Sequence, residues 1–174
     1  MKFIDLAKLR CSTRSFTKQS ISNEDLMLIL EAGRIAPTTA NTQSHRVLVI
    51  DDEEGLRLLS DAAQIYGAPC ALVISVDHAA SWKRAFDSYD SGDIDATVVM
   101  THMMLQASEL GLGNVWVGYF KPERIKELFK LPESWVPVHI LCIGYANVPL
   151  KDPQRHQKQR LPLSKTVFYR KDIE

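Results

Sequence analysis

Residues 94–110 constrain the fold of this chain more than any other segment. They are predicted to form a helix, but their apolar side chains cover most of its circumference instead of one stripe: Ile94, Val98, Val99, Met100, Met103, Met104, Leu105 and Leu110. A helix that is apolar nearly all round must be buried nearly all round. The chain has 174 residues, enough for one domain. The pattern leaves two interpretations open, a central core helix of a monomer or a helix that a second subunit partly covers.

The charge balance and the apolar runs exclude several classes of protein. Lys plus Arg and Asp plus Glu both number 21, so the chain lacks the basic excess that a nucleic-acid-binding protein normally carries. The longest apolar runs are far shorter than the roughly 20 residues of a membrane helix, and the N-terminal residues lack the apolar core of a signal peptide. The three cysteines form no CxxC pair, so we expect no disulfide framework and no metal site. We predict a cytoplasmic protein with a single domain over residues 1–174.

Periodicity, capping residues and breakers predict an alternation of helices and short strands. Helices are predicted over residues 3–9, from the Ser22 cap to Gly33, over 53–64 and 94–110, and from Lys121-Pro122 onward. Strands are predicted over residues 46–50, 71–76, 115–118 and 138–145. Residues 147–174 begin with a proline-containing basic segment, which predicts an extended C-terminal arm outside the core.

Two basic clusters lie near opposite ends of this neutral chain. The first consists of Arg10, Ser12 and Arg14. The second, in the arm, consists of Arg155, Lys158 and Arg160. Alternate residues of an extended backbone point the same way, and guanidinium groups with a hydroxyl suit a phosphate monoester. Together the clusters indicate a shared site for a small phosphorylated ligand, although each alone is equally consistent with a solvated basic surface. Neither a Rossmann nor a P-loop motif is present in the sequence.

Two further segments carry candidate binding residues. Residues 37–43 are rich in hydroxyl and amide groups, which can donate and accept hydrogen bonds in the plane of a heterocycle. An ordinary polar turn after a helix explains the same composition. Residues 77–92, between a predicted strand and the apolar helix, contain the aromatic side chains Trp82, Phe86 and Tyr89. Ordinary surface packing explains these aromatic residues equally well.

The order and spacing of these motifs resemble the FMN-dependent nitroreductase family. The resemblance rests on four groups that follow one another along nearly the whole chain: Arg10-x-Ser12-x-Arg14, Pro37-Thr38-Thr39-x-Asn41-x-Gln43, Gly111-Leu112-Gly113 with residues 115–118, and Lys158-x-Arg160. It implies an α+β fold in which a mixed, mainly antiparallel sheet lies between helices in a three-layer α-β-α arrangement. It also implies a homodimer with two FMN molecules at its interface, where the long central helix lies.

The resemblance also assigns roles to individual residues. The cofactor-binding residues that it implies are Arg10, Cys11, Ser12, Arg14, Pro37, Thr38, Thr39, Asn41, Gln64, Val117, Gly118, Lys158 and Arg160. The phosphate and ribityl end of FMN would be held by Arg10, Ser12, Lys158 and Arg160. Arg14 would lie beside the pyrimidine side of the ring, and the loop of Thr38, Thr39 and Asn41 would act across the interface. Backbone N–H groups of Val117 and Gly118 would lie near flavin N5 and O4. The flavin face would be covered by Trp82, Phe86 and Tyr89.

The implied activity is that of an NAD(P)H oxidoreductase. NADH or NADPH would pass a hydride to flavin N5 and leave, and an electron-poor acceptor such as a nitroaromatic or a quinone would take its place in a ping-pong reaction. No side chain need act as a nucleophile, and Arg14 would stabilise the reduced, anionic flavin electrostatically. The alternative, from a different class of function, is a protein that binds and stores FMN without turnover.

Overall fold

The computed structural model of the protein describes residues 1–170 and contains one four-stranded antiparallel sheet. The helices are α1 (Phe3–Leu9), α2 (Asn23–Arg34), α3 (Glu53–Leu59), α4 (Gly92–Glu109), α5 (Pro122–Phe129) and α6 (His156–Gln159). The strands are β1 (His45–Ile50), β2 (Cys70–Asp77), β3 (Gly113–Val117) and β4 (Trp135–Gly144). The strand order is β1-β2-β4-β3, so β1 and β3 form the two edges of the sheet.

Alternate residues of the two central strands face two separate apolar clusters, and these clusters define the layers. Leu72 and Leu141 face the cluster that includes α2 and α4. Val73 and Ile140 face the cluster on the opposite side, which includes α3 and α5. Because β2 is covered on both faces, it is buried along nearly its whole length. This arrangement confirms the expected α+β class and its three layers.

The sheet continues beyond β3 by one pairing. The three strand pairings are antiparallel, and within residues 1–170 the parallel component of the sheet is a single bridge between Ser12 and Asn114. The Thr13 N–H donates to the Asn114 carbonyl at 2.8 Å. The extended segment that follows α1 is therefore fixed against the outer edge of β3, opposite β4.

The local signals for helix starts are confirmed. Ser22 Oγ accepts the Asp25 N–H at 3.0 Å at the beginning of α2, and Pro122 lies in the first turn of α5. Gly111, with φ of +79°, follows the end of α4 and adopts the left-handed conformation that glycine tolerates best. Capping depends on a few neighbouring residues, which explains why these signals are readable without knowledge of the fold.

One predicted helix end is wrong, and a tertiary contact explains it. The helix predicted over residues 53–64 ends at Leu59, because the chain then turns so that Ala63 can form an antiparallel bridge with Phe120. Helix α2 ends at Arg34, one residue beyond the predicted Gly33. A Cβ at Gly33 would come within 2.8 Å of the buried Met103 side chain of α4. The strands β3 and β4 both begin earlier than predicted, because β3 pairs with β4 from Gly113 onward and β4 pairs with β2 from Trp135 onward.

Helix α4 is covered on one side only within a single chain. Val99, Met100 and Met103 are fully buried, but Ile94 is 53% exposed and Leu105 is half-buried. The burial that an all-round apolar helix demands is therefore not completed by residues 1–170 of a single chain. A face of α4 is left available for contact with another molecule.

The C-terminal arm is exposed and only partly extended. Over residues 147–170 it contains the turns Pro153–Arg155 and Leu163–Lys165 and the short helix α6, while its last four residues lie outside the described part. Arg155 attaches the arm to the end of α1 by donating to the carbonyls of Lys8 and Arg10 at 3.2 and 2.6 Å. Among the described residues, no helix has both the length and the apolar character needed to cross a membrane.

Candidate functional site

The two basic clusters of the sequence meet in one cleft at the base of the arm. The cleft is lined by Arg10, Cys11, Ser12, Arg14, Lys151, Arg155, His156, Gln159 and Arg160. The first four residues come from the extended segment after α1, and the others come from the arm. The structure thus brings together most of the residues that were expected to hold a phosphate group.

The backbone after α1 sets which side chains reach this cleft. The chain leaves the helix at Arg10 and is extended through Arg14, so alternate side chains take opposite sides. Cys11 and Thr13 are buried, whereas Ser12 is half-buried and Arg14 is exposed. Arg10, Ser12 and Arg14 line the cleft together, as expected for alternate residues of an extended chain.

The positive charge of the cleft is not neutralised by any carboxylate within the described residues 1–170. Within residues 1–170, no carboxylate forms an ion pair with Arg10, Arg14, Arg155 or Arg160. Partial burial lowers the pKa of Arg10, and the nearby charges of Arg155 and Arg160 lower it further. Guanidinium groups that repel one another in a partly desolvated cleft are stabilised when an anion enters. The cleft is chemically suited to a phosphate group.

The arm contributes different residues to the cleft from those expected. Arg160 lines it, but Lys158 is exposed on α6 and is not among the lining residues. Lys151, His156 and Gln159 do line it, and the sequence analysis did not single them out. Their basic and polar character was visible in the sequence, but which of them turn inward depends on the short helix and on the anchoring of Arg155.

A second group of candidates lies at the other end of the edge strand β3. Ser12 is bridged to Asn114, and Gly118 follows the strand four residues later, a separation of about 13 Å at the usual rise per residue of a strand. Gly118 is exposed, and a Cβ placed there would meet nothing within 4 Å. The Val117 side chain is buried, so only its backbone can face a ligand. The bridge between Ala63 and Phe120 places the exposed Gln64 close to the same segment.

The loop of residues 37–43 lies at the opposite edge of the sheet. It leads directly into β1, which is separated from β3 by the two central strands, or about 14 Å at the usual strand spacing. Pro37 and Asn41 are exposed, while Thr38 and Thr39 are half-buried. Within one chain, the structure does not bring this loop together with the basic cleft.

The aromatic segment between β2 and α4 forms an irregular hairpin. The Ser91 N–H donates to the Trp82 carbonyl at its base, and the Arg84 N–H donates to the Tyr89 carbonyl nearer its tip. At the tip, the Arg84 guanidinium lies 5.0 Å from the ring centre of Phe86 and 4.8 Å from that of Tyr89. Trp82 is half-buried at the base and is separate from this pair. Only Phe86 and Tyr89 are therefore presented together at the tip.

A polar chain beside the edge strand was missed by the sequence analysis. The Trp116 Nε1–H of β3 donates to Nδ1 of His139 at 3.1 Å, and Nε2 of His139 lies 2.7 Å from Thr97 Oγ1 on α4. Burial lowers the pKa of His139. The three residues are distant in sequence and give no signal on their own, because the contact exists only once β3, β4 and α4 are assembled.

The three-layer fold, with a cation-lined cleft at one end of the edge strand β3, defines a nitroreductase-like α+β protein whose cleft is suited to an anion. The model of the family described as "Nitroreductase family" matches residues 7–65 and 58–145. The chain therefore belongs to the nitroreductase family and is an oxidoreductase.

Individual relatives agree with this assignment. A nitroreductase family protein of Clostridium difficile 630 has a crystal structure with 45% sequence identity and a TM-score of 0.96, over 98% of this chain and 99% of that one. An Archaeoglobus fulgidus relative, named for NADH dehydrogenase/NAD(P)H nitroreductase activity, is 33% identical over 144 residues, 78% of this chain and 80% of its own length. A nitroreductase of Exiguobacterium sibiricum, solved in complex with FMN, has the same fold, with 24% identity, a TM-score of 0.84 and 98% coverage of both chains.

Proposed function

We propose that the protein is an FMN-dependent NAD(P)H oxidoreductase that reduces nitroaromatics, quinones or similar electron-poor acceptors. The observation that carries the proposal is the basic cleft at one end of β3, which no carboxylate of residues 1–170 neutralises, together with the open backbone at Gly118 at the other end. The names of the Archaeoglobus and Exiguobacterium relatives supply the identity of the electron donor and of the cofactor.

The residues present fit an FMN molecule placed along this edge. Arg10, Ser12 and Arg160 would hold the phosphate, with Lys151 and Arg155 adding positive charge. The absence of a side chain at Gly118 leaves room for a planar ring to approach the backbone. Cys11 contributes little beyond packing, because its side chain is only 7% exposed.

When bound, FMN would supply the two-electron chemistry that connects NAD(P)H to the acceptor, with the two substrates using the same slot in turn. The role of the protein is electrostatic and steric. Arg14 is exposed at the cleft and would place a positive charge beside bound FMN, where a cation would stabilise the negative charge that develops on reduction. The hairpin tip with Phe86 and Tyr89 offers aromatic faces on which a flat acceptor can stack.

The proposed active unit is a homodimer. In one chain the loop of residues 37–43 and the basic cleft lie at opposite edges of the sheet, so a single chain offers two half-sites. The open face of α4, the exposed Met27 of α2 and the exposed Ile35 directly after α2 supply apolar surface for a second copy. A two-fold dimer would bring the loop of each subunit to the cleft of the other.

The test is an absorption spectrum of the purified protein, with FMN added if needed, before and after anaerobic addition of NADH or NADPH. We expect a flavin spectrum that loses its visible absorption within the mixing time and recovers when a quinone is added. A protein that fails to take up FMN would contradict the proposal, and one that binds FMN tightly but is not bleached would indicate a storage role instead.

The same experiment with Arg14→Ala separates binding from electrostatic assistance. We expect this variant to retain FMN at micromolar concentrations but to be reduced at least about tenfold more slowly, the effect of about 1.4 kcal/mol in the barrier. Arg57→Ala, which removes an exposed arginine of α3 paired with Glu54, is the matched control. An unchanged reduction rate in Arg14→Ala would remove Arg14 from the assignment without affecting the rest.

A further inference from the structure

The loop of residues 37–43 has a backbone that few sequences adopt without support. Ala40, Asn41 and Gln43 have φ values of 50°, 56° and 50°, so three non-glycine residues within four positions are left-handed. Residues held in such sparsely populated conformations persist only where the surrounding structure fixes them, and they concentrate at ligand-binding sites. The contacts that fix this loop therefore determine how it presents Asn41.

The strongest of these contacts comes from Asp95 in the first turn of α4. Its Oδ1 accepts both the backbone N–H and the hydroxyl of Thr39, each at 2.9 Å. The Asp95 side chain is buried, and the residue is 3% exposed. Hydrogen bonds to a carboxylate are stronger than those between neutral groups, and a buried carboxylate requires them. Within the described residues Asp95 has no cationic partner, so these neutral donors hold it in place.

The other oxygen of the same carboxylate holds the aromatic hairpin. Asp95 Oδ2 accepts the hydroxyl of Ser91 at 3.0 Å, and the Ser91 N–H closes the base of the hairpin on the Trp82 carbonyl at 3.1 Å. Ser91 is itself buried. One side chain thus joins the end of the hairpin to the left-handed loop, and both are attached to the beginning of α4.

We propose that Asp95 is a positioning residue that fixes the cofactor-side loop and the acceptor-side hairpin in one mutual arrangement. The inference rests on the proposed function, because the loop and the hairpin are the segments expected to contact FMN and the acceptor. It adds a residue that none of the sequence motifs contains. Asp95 contacts neither ligand and acts through Thr39 and Ser91.

Two variants that each remove one hydrogen bond to Asp95 test the contact with the loop and the contact with the hairpin separately. Thr39→Val removes the hydrogen bond from the Thr39 hydroxyl to Asp95 but keeps the bond from the Thr39 N–H and the shape of the side chain. We therefore expect the FMN dissociation constant to rise several-fold. Ser91→Ala removes only the hydrogen bond from the Ser91 hydroxyl to Asp95, at the base of the hairpin. We therefore expect a raised KM for the quinone acceptor with an unchanged FMN dissociation constant. A merely structural bond would change the melting temperature and would not separate these two constants.

Substitution of Asp95 itself tests whether both effects have one origin. Asp95→Ala should combine them, with a rise in the FMN dissociation constant of about tenfold or more, corresponding to about 1.4 kcal/mol. Asp95→Asn should restore most of the function, because its carbonyl can accept from Thr39 while its amide donates to the Ser91 hydroxyl. Glu24→Ala, which removes an exposed carboxylate from the first turn of α2, is the matched control and should change none of these values.

The outcomes distinguish this inference from the proposed function. If wild-type protein neither binds FMN nor is bleached by NAD(P)H, the proposed function fails. If wild type does both, but Thr39→Val and Ser91→Ala keep its FMN dissociation constant and its KM, the positioning role of Asp95 is wrong. That second conclusion stands even if Asp95→Ala does not fold, because it depends only on Thr39→Val and Ser91→Ala.

Discussion

At the scale of single residues, His139 is held as a neutral imidazole by its two neighbours. An indole N–H can only donate, so Nδ1 of His139 must accept the bond from Trp116 and cannot carry a proton. Nε2–H then donates to Thr97 Oγ1, whose own hydrogen goes to the Asp93 carbonyl. Protonation of Nδ1 would break the bond to Trp116 and leave the indole N–H without its acceptor.

This arrangement predicts a stability that falls in acid. Burial lowers the pKa of His139 below its ordinary value of 6.5, and burial likewise lowers that of His45. The unfolded chain therefore binds more protons than the folded chain, so the stabilising contribution is complete above pH 6.5 and decreases as the pH falls below that value. Urea unfolding between pH 5 and 8 should show this slope, and His139→Gln should reduce it while His45 maintains the remainder. Identical slopes in wild type and variant would contradict the assignment.

At this scale, the sequence predicts those residues of the candidate site whose side-chain directions depend only on the local backbone. The shared direction of Arg10, Ser12 and Arg14 follows from an extended chain, which the sequence pattern already favours. The inward positions of Lys151 and His156 could not be predicted, because they depend on how the arm folds after Arg155 binds α1. The same holds for Asp95, which is an ordinary first-turn acidic residue until the loop is placed against it.

At the scale of secondary-structure elements, the approach of β4 to its neighbours depends on Gly144. This residue is paired with Gly113 of β3, and a Cβ at Gly144 would lie 2.5 Å from Pro69 Cδ and 3.2 Å from the Phe16 ring. A proline ring cannot rotate away, so the backbone would have to move. Overpacking of this kind in a core usually costs about 1–3 kcal/mol.

The matched glycine at the end of the neighbouring strand makes the contrast measurable. We expect Gly144→Ala to lower the free energy of unfolding by about 1–3 kcal/mol in urea titrations. Gly118→Ala should leave it nearly unchanged, because the added methyl group meets nothing within 4 Å, and its effect should appear in FMN binding instead. If both variants lost the same free energy of unfolding, the close contacts at Gly144 would not be the cause of its loss.

The elements themselves were predictable in type but less so in extent. Caps such as Ser22 and Pro122 act through adjacent residues, and both are confirmed. The end of α3 was misplaced because the chain leaves the helix for a bridge between Ala63 and Phe120, residues distant in sequence. Gly33 lies one residue before the end of α2, as expected, but its close contact with Met103 was not predictable, because that contact belongs to the packing of two helices.

At the scale of the whole molecule, a two-fold dimer would account both for the apolar circumference of α4 and for the separation of the candidate site into two parts. The helix leaves Ile94 exposed, and the sheet separates the loop at β1 from the cleft beside β3. A monomer would carry an open apolar face and two incomplete half-sites. A two-fold dimer would cover the face and complete both sites in the same step.

This reasoning makes a quantitative prediction for mixed dimers. Arg10→Glu damages the cleft half-site and Asn41→Ala damages the loop half-site, so each variant dimer has two defective sites and should be nearly inactive. A mixed dimer, purified through a different tag on each chain, would combine one site with both halves intact and one with both halves damaged. Its NADH-dependent quinone reductase activity should therefore recover to about half that of a doubly tagged wild-type dimer. Activity no higher than the mean of the two parents would show that each chain builds its site alone, and the open face of α4 would then need another explanation.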